Sequence, residues 1–362
     1  MTDIEKKLYS DDNIDVTTFK CPNCGGGSVF DAKTQKLKCL YCGSLFDIEN
    51  KKEEIVVERN LNELISKGEV WKEAEVYQCQ SCGAKEIIEN QKVSHVCPFC
   101  GTKNVVKIEE LPGLKPQGIV PFKLDKKMAG QCALKFVKRK LYAPRKFKKS
   151  AKPENIHGIY NPVFTFDCLT LSAYSGRLGK NYMVNHIVNG KMVTETRTKV
   201  FYISGSYDQF FDDFVVQASS KIPIEVVKTL EPFSTKQALS YKPEYLLGFG
   251  ANTYDKEGDA CWQESQNLMR LSIESSILKK YDYDVKYSLN VSTKFSNEQY
   301  KYVLVPIYVG HYKYKNKLYN FFVNGENGKV AGKTPVSAGK VCLTIFIVLL
   351  VLGLIVLLYY LA

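Results

Sequence analysis

The pattern Cys-x-x-Cys-Gly occurs four times: CPNCG from Cys21, CLYCG from Cys39, CQSCG from Cys79 and CPFCG from Cys97. Fourteen residues separate Cys24 from Cys39, and fourteen separate Cys82 from Cys97. Each knuckle returns 58 positions later, so residues 21–42 and 79–100 form an internal repeat. Two pairs of thiolates per repeat are the four soft donors a tetrahedral zinc requires, and the two residues inside each pair let both sulfurs converge on one ion. Gly25, Gly43, Gly83 and Gly101 follow the second cysteine each time. Glycine there permits the positive φ that turns backbone amides toward sulfur. Between the knuckles, SVFDAKTQKLKC reads as a hairpin, with Val29 and Phe30 ahead of a polar turn.

Each repeat therefore reads as a zinc ribbon. The expected ligands are Cys21, Cys24, Cys39 and Cys42 in the first and Cys79, Cys82, Cys97 and Cys100 in the second. A ribbon this short buries little core. Its folding energy would come from the metal, about 10–16 kcal/mol in finger peptides. Four protein ligands leave no position for a catalytic water, so two structural zinc ions are expected and no catalytic residue. Disulfides need an oxidising compartment, and the opening MTDIEKKLYSDDNIDVTTFK has acids and no apolar run, unlike a secretory signal. A redox pair would not need four copies at matched spacing. Iron in place of zinc stays open. His95 reads as a surface or packing residue, because four sulfurs already complete the site.

The far end sets a second constraint. VCLTIFIVLLVLGLIVLLYYLA, residues 341–362, carries no charge. As a helix these 22 residues rise about 33 Å, against a hydrocarbon core of about 30 Å. Tyr359 and Tyr360 suit the far interface, and Lys329, Lys333 and Lys340 precede the run on the side that stays cytoplasmic. The expectation is a single-pass anchor at residues 341–361 in the cell membrane, at the tail of a chain whose bulk is cytoplasmic.

Charge is uneven along the chain. The formal net charge is +12, and residues 123–152 hold ten Lys and two Arg against Asp125 alone, or +11. Residues 20–50 carry four Lys against Asp31, Asp47 and Glu49, so the first ribbon lacks the basic face of a nucleic-acid reader. LDKKMAGQCALKFVKRKLYAP places Ala129, Cys132, Ala133, Phe136 and Val137 at helical spacing, with Asp125 as cap and Pro144 beyond the end. Lys135, Lys138, Arg139, Lys140, Arg145, Lys146, Lys148 and Lys149 are the candidate contacts to a membrane surface or a partner. The alternatives are a solvated face over a core, and nucleic acid or an acidic partner.

The organisation follows from these signals. Residues 1–18 read as a flexible tail, 19–50 as zinc ribbon 1, 51–75 as a linker with a partial helix, and 76–108 as zinc ribbon 2. A Pro/Gly linker and basic amphipathic helix follow at 109–155, then a β-rich α+β domain at 156–338, dominated by antiparallel strands. Strands are expected in IYNPVFTFDCLTLSAYSG and MVTETRTKVFYISGSY, a short helix in VVKTLEPFS, and a longer one carrying Trp262, Met269, Ile273 and Ile277 on one side. EQYKYVLVPIYVGHYKYKNKLYNFFVNGENGKV reads as a meander, with Asn324-Gly325 and Asn327-Gly328 as turns. Tyr312 and Tyr314 alternate with Lys313 and Lys315, a packed face and a wet face. The GKT at Gly332–Thr334 is no phosphate loop: Asn327 stands where that loop needs glycine, and Pro335 follows. No nucleotide site is expected. His95, His157, His186 and His311 form no catalytic pattern, and Cys132, Cys168 and Cys261 read as small apolar residues.

The paired knuckles, together with IVPFKLDKKMA, LYAPRKF, IHGIYNPVFTFD, LEPFS, YLLGF, YKYVLVPIYVGHYKYKNKLY and VNGENGKVAGKTP, resemble the bacterial zinc-ribbon membrane proteins of the YdjG type, also labelled TFIIB-type zinc ribbon-containing proteins. Family members often carry Trp where Phe164 and Tyr308 stand here, and the family also includes soluble members. The resemblance implies a non-enzymatic role in envelope stress: recruitment of a membrane-remodelling partner resembling phage shock protein A. The labels "primosomal helicase" and "replisome organiser" also attach to such chains, but a helicase needs the phosphate loop missing above. Two further readings stand beside the scaffold: a membrane-tethered nucleic-acid-binding accessory protein of replication or phage origin, and a lipid-carrying domain with a deep apolar pocket in residues 156–338.

Overall fold

In the computed structural model the described residues are 14–15, 19–48, 55–65, 74–81, 83–89, 92–93, 97, 102, 105–108, 114–189, 191–315 and 317–361. Cys82, Cys100, His95 and most of the 1–18 segment lie outside them.

Three long strands form the frame. The central strand, Glu154–Val188, pairs antiparallel with Lys191–Gln217 on one side and Val285–Tyr314 on the other. At about 3.3 Å per residue, its 35 residues span on the order of 110 Å. The two strands expected in this region are parts of these much longer ones. Their length comes from a reversal at Asn189 (φ +49°), which lets Val188 pair with Lys191. The expected meander is present: Lys317–Asn324 pairs with Val285–Tyr314, and Val330–Gly332 pairs with Lys317–Asn324.

At the base of this frame both sheet faces are covered. One face buries Tyr160, Tyr308, Tyr312 and Phe321 with Phe122 and Phe147, beneath the helices Lys126–Arg139 and Arg145–Ser150. The other buries Val163, Val303, Val305 and Ile307 against Val227 and Leu230 of the helix Ile224–Leu230. The basic segment thus contains two helices where sequence periodicity indicates one. The first matches expectation: Asp125 Oδ1 accepts from Met128 N at 2.6 Å, and Ala129, Ala133 and Val137 face inward. Tyr312 is buried with its hydroxyl on Ala133 O (2.7 Å), while Lys313 is exposed. Asn324 does more than turn the chain. Its side-chain amide donates to Leu230 O at 3.0 Å, and its oxygen accepts from Glu326 N at 2.8 Å.

Beyond the base the same strands continue as an arm. The helix Gly258–Leu278 lies on one face and buries Met269, Ile273 and Ile277 against Cys168, Tyr174, Leu178, Ile203 and Phe211. Leu169, Leu171, Tyr202 and Phe210 are exposed on the opposite side. Base and arm meet at a double bulge. Both neighbours of the central strand gain a residue beside Asp167, at Asp213 (φ +53°) and Asn297 (φ +54°). Asp and Asn tolerate this backbone region best after glycine. Asp167 Oδ1 accepts from Asp213 N at 2.8 Å and holds the bulge. Lys301, buried beside it, pairs with Asp213 and Glu58 at 2.8 Å each.

The two cysteine repeats attach differently. The first forms its own three-stranded sheet, Ser28–Asp31, Lys36–Cys39 and Leu45–Phe46, and docks without joining the large sheet. Phe30 N donates to Leu247 O (3.0 Å), its ring meets Tyr245 edge-on, and Gln35 Nε2 donates to Phe122 O (2.8 Å). The second repeat joins the large sheet. Ala74–Cys79 pairs with Lys85–Glu89 and Val105–Ile108, and Lys85–Glu89 pairs with Gly250–Asn252, a neighbour of the central strand. Residues 55–65, in the segment read as a linker, are tied to the body. Val56 N donates to Ala238 O (3.0 Å), Arg59–Asn60 pairs with Tyr300 and Gln299, and the expected partial helix is Leu61–Ile65.

Candidate metal centre

Cys21, Cys24, Cys39 and Cys42 converge from the two ends of the first hairpin, with all four Sγ atoms within 4.8 Å of one another. Cys21 and Cys42 are 3.6 Å apart, and Cys24 and Cys39 are 3.5 Å apart. Zinc–sulfur bonds of about 2.3 Å give a tetrahedral edge of about 3.8 Å, so the group fits one such ion. Cys21 and Cys39 are buried, and Cys24 and Cys42 face solvent. Four thiols this close cannot all ionise without a cation between them.

The knuckle backbones explain the convergence. Gly25 and Gly43 both sit at φ +73°, as the sequence leads one to expect. Their amides bond to Cys21 O (2.8 Å) and Cys39 O (3.1 Å). Asn23 N and Tyr41 N point at Cys21 Sγ and Cys39 Sγ, each at 3.4 Å. Cys42 has a further donor that the spacing argument missed. Asn23 Nδ2 donates to Ser44 Oγ (2.9 Å), which lies 3.1 Å from Cys42 Sγ with its own proton free to give. That hydroxyl, then the Ser44 amide, pulls Cys42 down to about 6. The amide of Cys42 holds Cys39 below the usual thiol range. At Cys24 the Gly26 amide pulls down, but the crowding thiols of Cys39 and Cys42 prevail and push it up to about 12. Cys39 and Cys42 therefore lose their protons readily, while Cys24 would give up its proton only to a bound cation.

The four-sulfur site expected in the second repeat, Cys79, Cys82, Cys97 and Cys100, lies partly outside the described residues. Among the described residues one four-cysteine group is present, because Cys82 and Cys100 lie outside them. Cys79 and Cys97 are buried together with Ala84. Their backbones repeat the first ribbon's bonds: Cys79 N to Ala84 O (2.8 Å) and Cys97 N to Thr102 O (2.9 Å) parallel Cys21 N to Gly26 O (2.7 Å) and Cys39 N to Ser44 O (2.9 Å). Gly83 has φ +69°.

The helix Ala338–Leu361 is long and apolar enough to cross a membrane, and its apolar side chains from Leu343 to Val356 are exposed. Its first turn is bolted to the loop joining the two basic helices. Lys340 Nζ donates to Leu141 O (2.9 Å) and Ala143 O (2.8 Å), and Ser337 N donates to Tyr142 O (2.9 Å). Nothing in the periodicity announces this joint. The candidate basic residues stand on the two helices and the loop between them that this joint touches. Lys135, Lys138, Arg139, Lys140, Arg145, Lys146 and Lys149 are exposed or partly so, while Lys148 is half-buried and donates to Lys138 O (2.9 Å).

The chain is 30% identical over 330 residues to an uncharacterized protein, YdjG, of Bacillus subtilis (strain 168); the match spans 90% of this chain and 92% of that one. The chain belongs to the YdjG family. No family profile and no solved structure matches it. For this YdjG-family chain the comparison agrees with the motifs that pointed there.

Proposed function

We propose that this chain is a non-enzymatic scaffold at the cytoplasmic face of the bacterial cell membrane, held by a single span, which recruits a cytoplasmic membrane-remodelling protein of the phage-shock-protein-A type during envelope stress. The observation that carries the reading is the joint at the root of the apolar helix. Lys340 and Ser337 fasten the span directly to the helix pair that packs on the base of the sheet, so the folded body stands on its anchor without a flexible linker. A body confined in this way raises the local concentration of whatever it binds. The docked ribbon and the exposed faces of the arm offer rigid surfaces for a protein. The partner's identity rests on the family resemblance.

The metal is zinc in this reading, two ions per chain, the second held by Cys79, Cys82, Cys97 and Cys100. The matched knuckle backbones at Cys79 and Cys97 support it. Elemental analysis of protein purified without added metal should return two zinc per chain, and one after Cys79→Ser with Cys97→Ser.

The function is tested by imaging a tagged partner in cells. It should sit at the membrane when the chain is present, turn diffuse when residues 341–361 are deleted, and lose contact when Cys39→Ser with Cys42→Ser opens the first ribbon. Protease added outside intact cells should leave the ribbons uncut. If co-purification returns nucleic acid or replication proteins and no membrane-remodelling protein, the tethered nucleic-acid reading replaces this one.

A further inference from the structure

Much of the chain's excess positive charge lies in residues 123–152, and the loop that joins the two basic helices there is fastened to the root of the apolar helix. Lys138, Arg139 and Lys140 end the first basic helix, and Arg145, Lys146 and Lys149 stand on the second. Among the described residues no carboxylate pairs with any of these six. A helix of six residues with Arg145, Lys146, Lys148 and Lys149 and no acid is a poor arrangement in water, because its cations repel one another. It becomes favourable against a surface of fixed anions.

Depth along the apolar helix says which surface. Lys340 is the last charge before the uncharged run, so it marks the level where headgroups give way to hydrocarbon. Its ammonium is hydrogen-bonded to Leu141 O and Ala143 O, and Ser337 N to Tyr142 O. Bonds of 2.8–2.9 Å allow the loop no separate depth: Leu141 and Tyr142 lie at the headgroup level wherever Lys340 does. Leu141 is 70% exposed and Val336 is 66% exposed. Apolar side chains and a tyrosine at that level, with cations on the helix ends beside them, are the composition of an interfacial contact. Arg145 and Lys148 are near enough for their charge to bear on Lys340, so these cations stand beside the root of the helix.

We propose that the loop Lys140–Pro144 and the basic helices flanking it form a footing that binds anionic phospholipid headgroups around the root of the span. The proposal rests on the membrane-held reading above and deepens it: the body is seated on the bilayer as well as tethered to it. Duplex nucleic acid shares the phosphate chemistry, but to reach these cations it would have to occupy the headgroup layer within about one helical turn of the span. The bilayer is already there.

The test uses the full chain in vesicles of phosphatidylcholine, with or without roughly a third phosphatidylglycerol. Flotation first establishes insertion; failure at that step overturns the membrane-held reading and the footing together. In inserted protein, Leu141→Trp should add fluorescence that phospholipid brominated near the headgroup end of its chains quenches, above the baseline of Trp71 and Trp262. Spin-labelled phosphatidylglycerol should be preferred over phosphatidylcholine several-fold at low salt. Neutralising Lys138, Arg139, Arg145 and Lys146 to Gln should bring that ratio to about one, with insertion and zinc content unchanged. These cations lie at the surface, so the variant is expected to fold, and zinc content reports on it. Absence of quenching in the Leu141→Trp variant, or a lipid preference unaltered by the four substitutions, overturns the footing while leaving the span intact. Duplex DNA that binds the inserted chain through these four residues without disturbing the lipid preference also overturns it.

Discussion

Lys294 and Lys301 lie seven residues apart in one strand, yet the first is exposed and the second is buried between carboxylates. The strand Val285–Tyr314 crosses two regions of unlike chemistry. In the arm its side chains alternate between the helix-covered face and solvent; from Tyr300 to Gly310 every residue is buried. The central strand changes in the same way at Asp167. One sheet can serve both as a two-sided core and as a one-sided arm, provided the transition is marked. Here the mark is the double bulge with its buried charges. Bulges re-aim strands, and a buried ion pair binds the flanking segments into one register.

On the zinc reading proposed above, the largest way to break this comparison is to remove the ion. The first ribbon packs on the base and not on the arm. Chelation, or Cys39→Ser, should therefore remove about 10–16 kcal/mol from the ribbon. Hydrogen exchange should accelerate in residues 28–39 and 245–249 and stay slow in 168–178 and 261–277. Uniform loss of protection through the arm would show that base and arm do not respond separately.

The next effect is at the boundary. Lys301→Met leaves Asp213 buried without its cation and should cost about 3–5 kcal/mol in urea unfolding. A loss under about 1 kcal/mol would mean that the bulge does not depend on this ion pair. A smaller contrast separates the two faces of the arm. Ile273→Ala, which empties a fully buried position, should cost about 2–5 kcal/mol, while Leu171→Ala on the open face should stay within about 0.5 kcal/mol. Equal costs would indicate that something covers that face.

The smallest effect separates base and boundary by pH. At Glu326 burial alone would raise the carboxyl, but hydrogen bonds from Lys123 and Ser234 prevail and hold it below the ordinary range. Its contribution is fully present above the unfolded value of about 4.3 and is lost as pH falls through the lower folded one. Glu326→Gln should flatten the acid limb of the stability curve. Asp167 runs the other way. Burial, opposed by the Asp213 amide, raises it, so stability falls as pH climbs from its unfolded value through the higher folded one. Asp167→Asn should remove that decline. If both variants keep the parent's profile, these two groups do not govern it.

Much of the candidate site is legible in the sequence because its signals are local. The Cys-x-x-Cys-Gly spacing foretells positive φ at Gly25 and Gly43 and convergence of four sulfurs, since a few bonds separate cause from effect. The helix Lys126–Arg139, its Asp125 cap, and the inward set Met269, Ile273 and Ile277 are legible from periodicity for the same reason. Ser44 is not, because its hydroxyl reaches Cys42 only after the knuckle has turned. The strands run longer than the sequence indicates. A run buried on both faces, such as VLVPIYVG, and the alternating stretch before it carry different signatures, and no local rule says that they continue as one strand.

The sequence by itself determined the four-cysteine cluster of the first ribbon, the apolar helix and the charge imbalance, because each depends on residue type and short-range spacing. Tertiary structure alone decided what those pieces stand next to. It docked the first ribbon on the base as a separate sheet, wove the second repeat into the large sheet, and set Lys301 between Asp213 and Glu58. It also fastened Lys340 to a loop about 200 positions earlier in the chain. Such contacts are chosen by the cost of leaving buried polar groups unpaired across the whole fold, and no window of sequence contains both partners.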